Sequence, residues 1–197
     1  MDFRVDRYGD WVFPKTILHP DDMARFGVKE YAHFNKYYQL KYAIASQIKP
    51  KTIVEIGVRA GYSAYAFLQA CPEAIYYGFD NNAGLDGGCK GLRYYDWACK
   101  LLDSYKVTIV NDLDSQSVTR LPIDFAPYLM HIDGSHSFEG CMHDLNLAKS
   151  HKAAFILVDD VDYIDTVEEA VDVFLKENTD LKHLYIGDFR GQCLMWR

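Results

Sequence analysis

Apolar residues alternate along this chain between short continuous runs and stripes at helical spacing. The continuous runs are typical of buried strands, and they occupy residues 52–56, 75–79, 107–110, 128–132 and 154–158. The stripes between them predict helices, which we place at about residues 34–48, 63–71 and 94–105, with two more beginning near residues 138 and 165. Asp165 and Glu168 match a capping box at the start of the last helix.

Strands that alternate with helices indicate a largely parallel sheet covered on both faces. Two further apolar runs, 184–186 and 193–196, flank a turn and predict an antiparallel hairpin. We therefore expect an α/β fold with a doubly wound, mostly parallel seven-stranded sheet, an antiparallel C-terminal hairpin and its antiparallel strand at the edge. One domain should span residues 1–197, with residues 1–50 as a helical cap and 51–197 as the cofactor-binding and catalytic core. Residues 1–31 and the glycine-rich stretch 81–91 fit neither pattern and are expected to form loops.

Charge and composition exclude several classes of protein. Among 197 residues, 21 Lys and Arg face 28 Asp and Glu, so no basic surface for nucleic acid is expected. No apolar run is long enough to span a membrane, and the N-terminus lacks the apolar core of a signal peptide, which predicts a cytoplasmic protein. The five cysteines form no CxxC pair, so we expect free thiols and not a zinc or iron–sulfur site.

Ligands of doubly wound sheets bind outside the carboxyl ends of the strands. The first strand ends in Glu55 and Gly57, followed by Gly61 and Ser63, so two glycines permit a tight turn into a helix N-terminus. A carboxylate such as Glu55 suits a ligand with positive charge better than a pyrophosphate. Asp80 ends the second strand, 25 positions after Glu55, where an acid can accept ribose hydroxyls. Together these features favour a nucleoside-containing cofactor, although each alone also fits an ordinary turn.

Acidic residues also follow the later strands. After the third strand comes the segment 111–114 (NDLD), one residue of which, with Asp112 as the candidate, either faces an adenine edge or forms a turn. Asp133 follows the fourth strand, and Asp159 and Asp160 follow the fifth, so neighbouring strands would bring three carboxylates together. A hard divalent cation, Mg²⁺ above Mn²⁺ or Ca²⁺, would relieve their repulsion, whereas the alternative is that these residues cap helices. His136 can reach the same cleft as a general base, or it is a surface histidine.

At these residues the sequence resembles class I methyltransferases that use S-adenosylmethionine. The Glu55-x-Gly57-x-x-x-Gly61 pattern resembles their first motif, and Asp80 resembles their second-strand acid. The segments 131–140 (HIDGSHSFEG) and 158–160 (VDD) resemble metal-dependent small-molecule O-methyltransferases, in particular methyltransferase family 24 and the macrolide-sugar enzymes. The resemblance covers residues 51–161. One departure is Lys-Ala-Ala at 152–154, where relatives often have a Gly-Gly turn.

The resemblance implies a Rossmann-like methyltransferase that methylates a hydroxyl of a small molecule, such as a sugar, a polyol or a catechol. It implies S-adenosylmethionine and Mg²⁺ or another divalent cation as cofactors. His136 and Asp133 are the expected catalytic residues. The expected cation ligands are Asp133, Asp159 and Asp160, and the expected cofactor-binding residues are Glu55, Gly57, Gly61, Ser63, Asp80 and Asp112. Aromatic residues at positions 8, 11, 13 and 163 are candidates to cover the acceptor, and the aromatic N-terminus suggests a homodimer contact.

Three alternatives remain at this point. A methyltransferase that needs no metal could act on a protein or a nucleic acid, although the charge disfavours nucleic acid. A nicotinamide-dependent oxidoreductase is weakened by GxxxG in place of GxGxxG and by Glu55. A domain that binds the cofactor without catalysis is weakened by the presence of both the acidic residues and His136.

Overall fold

The structure, a computed structural model, describes residues 10–83, 94–187 and 190–197. The strands are β1 (Thr52–Ile56), β2 (Ile75–Asp80), β3 (Lys106–Asn111), β4 (Leu129–Ile132), β5 (Phe155–Asp159), β6 (Lys182–Ile186) and β7 (Gln192–Trp196). The α-helices are α1 (Pro20–Ile48), α2 (Tyr62–Ala70), α3 (Tyr94–Leu101), α4 (Phe138–Ser150) and α5 (Asp165–Glu177). Each predicted strand is present within one or two residues of its expected bounds.

The strands form one seven-stranded sheet in the order β3-β2-β1-β4-β5-β7-β6. Successive pairs from β3 to β5 are parallel, and β7 runs antiparallel to both β5 and β6. This confirms the doubly wound sheet, the C-terminal hairpin and the neighbouring positions of β4 and β5. The strand order changes direction between β1 and β4, which is where ligands of such sheets bind.

The expected position of the antiparallel strand at the sheet edge is wrong. β7 inserts between β5 and β6, and β6 occupies the edge. All five residues of β7 are buried, whereas β6 has no buried residue. The more apolar strand of the hairpin therefore takes the interior position, where both of its faces are covered.

Helices cover both faces of the sheet, as an amphipathic layer structure requires. One face packs on α4 and α5 through a core that includes Ile56, Met130, Val158, Leu145 and Phe174. The other face packs on α1 and α2 through a core that includes Ile53, Leu157, Leu40, Ile44 and Phe67. A third cluster, rich in aromatic residues, joins the N-terminal segment to α1 and α2.

Helix α1 is longer than its apolar stripe predicts. It begins at Pro20 and not near residue 34, so much of the segment expected to be irregular is helical. Proline is well suited to the first turn of a helix because that turn needs no amide donor there. The His19 side chain accepts a hydrogen bond from the Asp21 amide, and the acidic first turn complements the helix dipole. The helix ends at Ile48 as expected, with Lys49 in left-handed conformation.

The predicted capping box of α5 is also wrong. Ile164 occupies the N-cap, Asp165 is the first helical residue, and no side chain caps this helix. The Ile164 amide instead donates to the Asp160 carbonyl, so the turn after β5 leads directly into the helix. The predictions for residues 84–91 of the glycine-rich stretch, for Tyr8, and for positions 188–189 of the hairpin turn lie outside the described residues. No helix in the described part of the chain has the length and apolar character needed to cross a membrane.

Candidate active site

The loop between β1 and α2 lies directly against the end of β4. Gly57 has a positive φ of 91°, and a Cβ atom at this position would lie 2.0 Å from the Asp133 carbonyl oxygen. Gly61, with φ 76°, forms the N-cap of α2, and its Cβ would crowd Ala98 at 3.1 Å. Both predicted glycines are therefore required by backbone conformation and close packing. Ser63 is buried in the first turn of α2.

Asp80 holds this loop in place. Its Oδ2 atom accepts hydrogen bonds from the amides of Val58 at 2.9 Å and Arg59 at 2.7 Å, and Oδ1 accepts from the Asn82 amide at 2.6 Å. The sequence located this acid correctly at the carboxyl end of β2. Asp112 lies one strand further, exposed and in left-handed conformation with φ 62°. The cofactor roles predicted for both residues stay predictions.

Arg59, in the same loop, anchors it to the N-terminal helix through a cluster that we call the Asp22 hub, formed by Asp22, Arg59, Tyr62 and Tyr94. The Asp22 carboxylate is only 1 % exposed and accepts two bonds from the Arg59 guanidinium, at 2.5 and 3.1 Å. The hydroxyls of Tyr62 and Tyr94 donate to it at 2.8 and 3.0 Å. Each carboxylate oxygen thus accepts two hydrogen bonds, and the buried charge is fully paired.

Unpaired acceptors near this loop fit a nucleoside. Asn111 is the register partner of Asp80 at the ends of neighbouring strands, and its buried Oδ1 has no hydrogen-bond partner among the described residues. Oδ2 of Asp144, on α4, also has no hydrogen-bond partner among the described residues, but it is fully buried and lies beside Gly134. Ribose hydroxyls and an adenine amine are hydrogen-bond donors, so this acceptor-rich rim fits S-adenosylmethionine.

Glu55 does not reach the rim in this structure. Tyr76 donates its hydroxyl to Glu55 Oε2, and His131 Nδ1 lies 2.8 Å from Oε1. Both carboxylate oxygens are therefore engaged inside the core, where Glu55 is fully buried. Its predicted contact with the positive part of the cofactor stays a prediction that none of the described contacts supports.

His131 is a buried residue that the sequence reasoning missed. Its Nδ1 faces Glu55, and its Nε2 lies 2.9 Å from Asp159 Oδ2. Because both partners are carboxylates, both ring nitrogens donate and the imidazole carries a positive charge. Burial lowers the pKa of His131, but the two carboxylates outweigh burial and raise it to about 9. The signal in the sequence was a histidine in an otherwise apolar strand, two residues before Asp133.

Two side chains of helix α1 contact the carboxylate of Asp159. Lys41 Nζ lies 2.7 Å from Asp159 Oδ2 with both side chains fully buried, and the Tyr37 hydroxyl donates to the same oxygen at 2.6 Å. With His131, Oδ2 therefore has three partners, whereas the buried Oδ1 has none among the described residues. Burial opposes ionisation of Asp159, but Lys41 and His131 hold its pKa well below the usual range. Lys41 lies in the apolar stripe of α1, and a charged residue at such a position was the signal that the sequence offered.

Asp160 and His136 approach each other beside this group. His136 Nε2 lies 3.3 Å from Asp160 Oδ2, and Arg190 Nη1 lies 3.2 Å from both Asp160 oxygens. Burial and the Asp159 charge raise the pKa of Asp160, and Arg190 and His136 oppose that rise. Asp133 completes the group, because donor atoms of Asp133, His136 and Asp160 lie within 4.8 Å of one another.

The donor chemistry of this rim fits a hard divalent cation. Ligand atoms of Asp133 and Asp159 also lie within 4.8 Å of each other, in a group with His131, so Asp133 belongs to both groupings. Both His131 nitrogens are already engaged by carboxylates, so this second grouping offers a cation its two carboxylates only. Burial, followed by the charges of Asp159 and Asp160, raises the pKa of Asp133 well above its usual value. Crowded carboxylates with an orphaned oxygen on Asp159 are a set that Mg²⁺ or Mn²⁺ can satisfy. A small pocket at this point is lined by Asp133, His136 and Asp159 with apolar neighbours.

The loops at this edge share an unusual backbone conformation. Four residues that follow strands have positive φ although none is glycine: Arg59 after β1, Asn82 after β2, Asp112 after β3 and Asp160 after β5. Their φ angles lie between 47° and 62°. Such conformations are costly for L-residues and cluster at functional sites.

Solved structures with the same fold span most of the chain. PaMTH1, an S-adenosylhomocysteine-bound methyltransferase of Podospora anserina, is 15% identical, with a TM-score of 0.68 over 96% of this chain and 91% of its own. An O-methyltransferase of Bacillus cereus in complex with S-adenosylhomocysteine is 13% identical, with a TM-score of 0.65 over 92% and 88%. TomG of Streptomyces achromogenes, an O-methyltransferase of tomaymycin synthesis in complex with S-adenosylmethionine, is 15% identical, with a TM-score of 0.61 over 89% and 83%. No curated protein sequence matches the chain.

The fold and this rim define a class I methyltransferase that depends on S-adenosylmethionine. A family model described as "Methyltransferase domain" matches residues 54–161, more than half of the chain. The chain therefore belongs to methyltransferase family 24, which confirms the resemblance seen in the sequence. The nicotinamide-dependent and binding-only alternatives are left without support.

Proposed function

We propose that this chain is an O-methyltransferase that transfers a methyl group to a hydroxyl of a small molecule, such as a sugar, polyol or catechol, with the help of a divalent cation. The observation that carries the proposal is the position of Asp133 beside the β1–α2 loop, where it is grouped with His136 and Asp160 and, separately, with Asp159 and His131. Because Gly57 nearly touches the Asp133 backbone, the candidate cofactor and cation sites are immediate neighbours.

The roles follow from the chemistry of the donor groups. S-adenosylmethionine, when bound, supplies the methyl group on a sulfonium, and the acceptor-rich rim with Asp80 would hold its nucleoside part. A divalent cation, when bound by Asp133, Asp159 and Asp160, lowers the pKa of a hydroxyl. The fixed strand ends would hold acceptor and donor in line, and such positioning supplies much of the rate of a displacement reaction.

His136 would take the proton that the hydroxyl loses when its oxygen forms the new bond to carbon. Its Nε2 faces Asp160, so the neutral ring keeps its hydrogen on Nε2 and presents Nδ1 as the proton acceptor. The imidazolium formed on proton uptake then keeps a carboxylate partner in Asp160. Arg190 on the other side of Asp160 balances the charge of that carboxylate before the proton moves.

Among the aromatic residues predicted to cover the acceptor, two lie in the N-terminal cluster and one lies beside the candidate site. Phe13 is fully buried against Tyr38, and Trp11 stacks on Tyr42, so both form part of the N-terminal cluster on α1. Tyr163 is 60% exposed, and its ring lies 4.7 Å from the Arg190 guanidinium carbon beside the site. We therefore propose Tyr163 as the aromatic residue that contacts the acceptor.

Calorimetric titration of S-adenosylhomocysteine and, separately, of Mg²⁺ tests this proposal without knowledge of the acceptor. We expect both to bind the unsubstituted chain. Asp133→Asn should reduce Mg²⁺ affinity at least tenfold, because the cation loses a charged ligand, and should leave S-adenosylhomocysteine affinity within about threefold. Asp103→Asn, the same change at an exposed site far along the chain, is the matched control and should leave both unchanged.

Loss of S-adenosylhomocysteine binding together with Mg²⁺ binding in Asp133→Asn would contradict two separate sites. Binding of S-adenosylhomocysteine without any Mg²⁺ binding to the unsubstituted chain would remove the cation from the mechanism. Methyl transfer to vicinal diols or catechols, screened with both cofactors present, identifies the acceptor class.

A methyltransferase without a metal is the second candidate, and one observation favours it. Lys41 and His131 already pair with Asp159, and Arg190 pairs with Asp160, so two of the three carboxylates have protein cations. Turnover that persists undiminished in excess EDTA would select this candidate. Turnover that stops in EDTA and returns with Mg²⁺ would select the cation-assisted reaction.

A further inference from the structure

The two oxygens of Asp159 have opposite surroundings. Oδ2 is contacted by Lys41 Nζ at 2.7 Å, by the Tyr37 hydroxyl at 2.6 Å and by His131 Nε2 at 2.9 Å. Oδ1 is buried and has no hydrogen-bond partner among the described residues. The hydrogen bonds from Tyr37 and His131 occupy the two lone pairs of Oδ2, and Lys41 adds an ion pair without hydrogen-bond geometry, so only Oδ1 remains available for another ligand.

We propose that Lys41 and Tyr37 are positioning residues of the cation site, which fix Asp159 as a ligand through a single oxygen and thereby select Mg²⁺ or Mn²⁺ over Ca²⁺. The inference rests on the proposed cation-assisted function and concerns the same site. Neither residue is proposed as a ligand, because the contacts of both with Asp159 are made at Oδ2 and leave Oδ1 to the cation.

Coordination chemistry connects the single oxygen to the choice of cation. Mg²⁺ requires near-octahedral geometry at about 2.0–2.1 Å and binds few carboxylates, whereas Ca²⁺ takes about 6–8 oxygens at about 2.3–2.6 Å and readily uses both oxygens of a carboxylate. An Asp159 that cannot turn its second oxygen toward the ion therefore removes one ligand from Ca²⁺ and none from Mg²⁺. Discrimination between these ions depends on ligand number and flexibility, which are the properties that the three partners restrict.

A purely structural role for Lys41 explains the geometry less well. Burying an ammonium group is costly, and a buried ion pair can often be replaced by apolar residues without loss of stability. Lys41 lies among apolar neighbours on α1, and its Nζ is 3.5 Å from the centroid of the Tyr37 ring. The Tyr37 ring therefore orients the Lys41 ammonium group, and both side chains contact Asp159 Oδ2.

The test measures dissociation constants of Mg²⁺ and Ca²⁺ by calorimetry, and of Mn²⁺ by electron paramagnetic resonance, in the full chain with S-adenosylhomocysteine bound. The quantity compared is the ratio of the Ca²⁺ and Mg²⁺ constants. Removing the Lys41 charge changes the electrostatic attraction of both divalent ions equally, so that effect cancels in the ratio, whereas a change in the number of Asp159 oxygens does not cancel.

We expect Lys41→Met to shift the ratio about tenfold in favour of Ca²⁺, and Tyr37→Phe, which alters no charge, to shift it about threefold in the same direction. Tyr38→Phe is the matched control, because Tyr38 is a buried neighbour on α1 that packs on Phe13 and Tyr62. Its ratio should equal that of the unsubstituted chain. Tyr37→Phe keeps the test decisive if Lys41→Met fails to fold.

Unchanged ratios in both variants, with cations still bound, would overturn the inference and leave the proposed function intact. A chain that binds S-adenosylhomocysteine but no divalent cation would overturn the inference together with the cation-assisted function. The same outcome would leave a metal-independent methyltransferase.

Discussion

The Asp22 hub and the carboxylates at the ends of β4 and β5 are both acidic groups with buried members, Asp133 alone being half-buried, but their charges are balanced differently. In the hub, one carboxylate meets one guanidinium and two hydroxyls, and both carboxylate oxygens are paired, although Arg59 Nε has no hydrogen-bond partner among the described residues. At the strand ends, Asp159 has a bare oxygen and Asp133 has like charges beside it. A closed network of this kind stabilises a fold, whereas an open one stores electrostatic energy that a ligand can release.

The largest expected effect is on the hub. Asp22→Asn should lower the free energy of unfolding by about 3 kcal/mol, because the partly buried Arg59 guanidinium loses its counter-charge. Urea denaturation of the chain measures this loss. Asp21→Asn is the control, since Asp21 is exposed in the same helical turn and should cost about 0.5 kcal/mol. Equal effects of the two substitutions would mean that the hub is not a closed structural network.

Asp144 lies between the two cases, and its effect should depend on pH. One of its oxygens accepts a hydrogen bond from Gln116 at 3.1 Å, and burial raises its pKa to about 6. This pKa lies above the value of about 3.9 in the unfolded chain, so the folded chain prefers the protonated acid. The contribution of Asp144 to the stability of the fold is therefore fully present below about pH 4 and is lost as the pH rises through about 6. Asp144→Asn removes this loss.

The free energy of unfolding of the variant, compared with that of the unsubstituted chain, should therefore be about 2 kcal/mol more favourable at pH 8 than it is at about pH 4. Urea denaturation at both pH values gives the difference. Asp103→Asn, at an exposed position, should show no such gain. A difference that is constant across this range would show that Asp144 titrates in the folded chain as it does in water.

The smallest change in stability is expected at the strand ends, and its sign is opposite to that of Asp22→Asn. Asp133→Asn should leave the free energy of unfolding unchanged or raise it by up to about 1 kcal/mol, because it removes one of three like charges. Thermal unfolding without added cation measures this. Added Mg²⁺ should raise the melting temperature of the unsubstituted chain and not that of the variant. Destabilisation comparable to that of Asp22→Asn would place Asp133 in a closed network as well.

The sequence predicted those elements whose stabilising contacts are local or periodic. Strands β4 and β5 lie in mostly apolar runs, and acidic residues stand at their carboxyl ends, so Asp133, Asp159 and Asp160 could be expected at one rim. The roles of Lys41 and His131 could not be read in this way. Lys41 meets a carboxylate on β5, and His131 bridges carboxylates on β1 and β5, so their partners become visible only when the strand order is known.

Helix α1 also shows which contacts the sequence pattern does not predict. Its apolar stripe predicts the half that packs on the sheet, whereas its first turns are rich in charged residues and read as irregular. Asp22 looks like a solvent-exposed acid until Arg59 and Tyr94 are brought to it from other parts of the chain. Buried polar contacts between distant segments carry no periodic signal, and they account for most of what the sequence left unassigned.

The left-handed residues after the strands have a consequence for protein engineering. Arg59, Asn82, Asp112 and Asp160 each hold a conformation that glycine adopts more cheaply, by about 1 kcal/mol per position. At Asn82, Asp112 and Asp160, whose side chains lie outside the Asp22 hub, a screen that rewards heat tolerance alone would therefore favour glycine, and each such change would delete a side chain from the loops around the candidate site. Libraries built on this scaffold should keep these four positions fixed and seek robustness elsewhere, because here activity and robustness are in conflict.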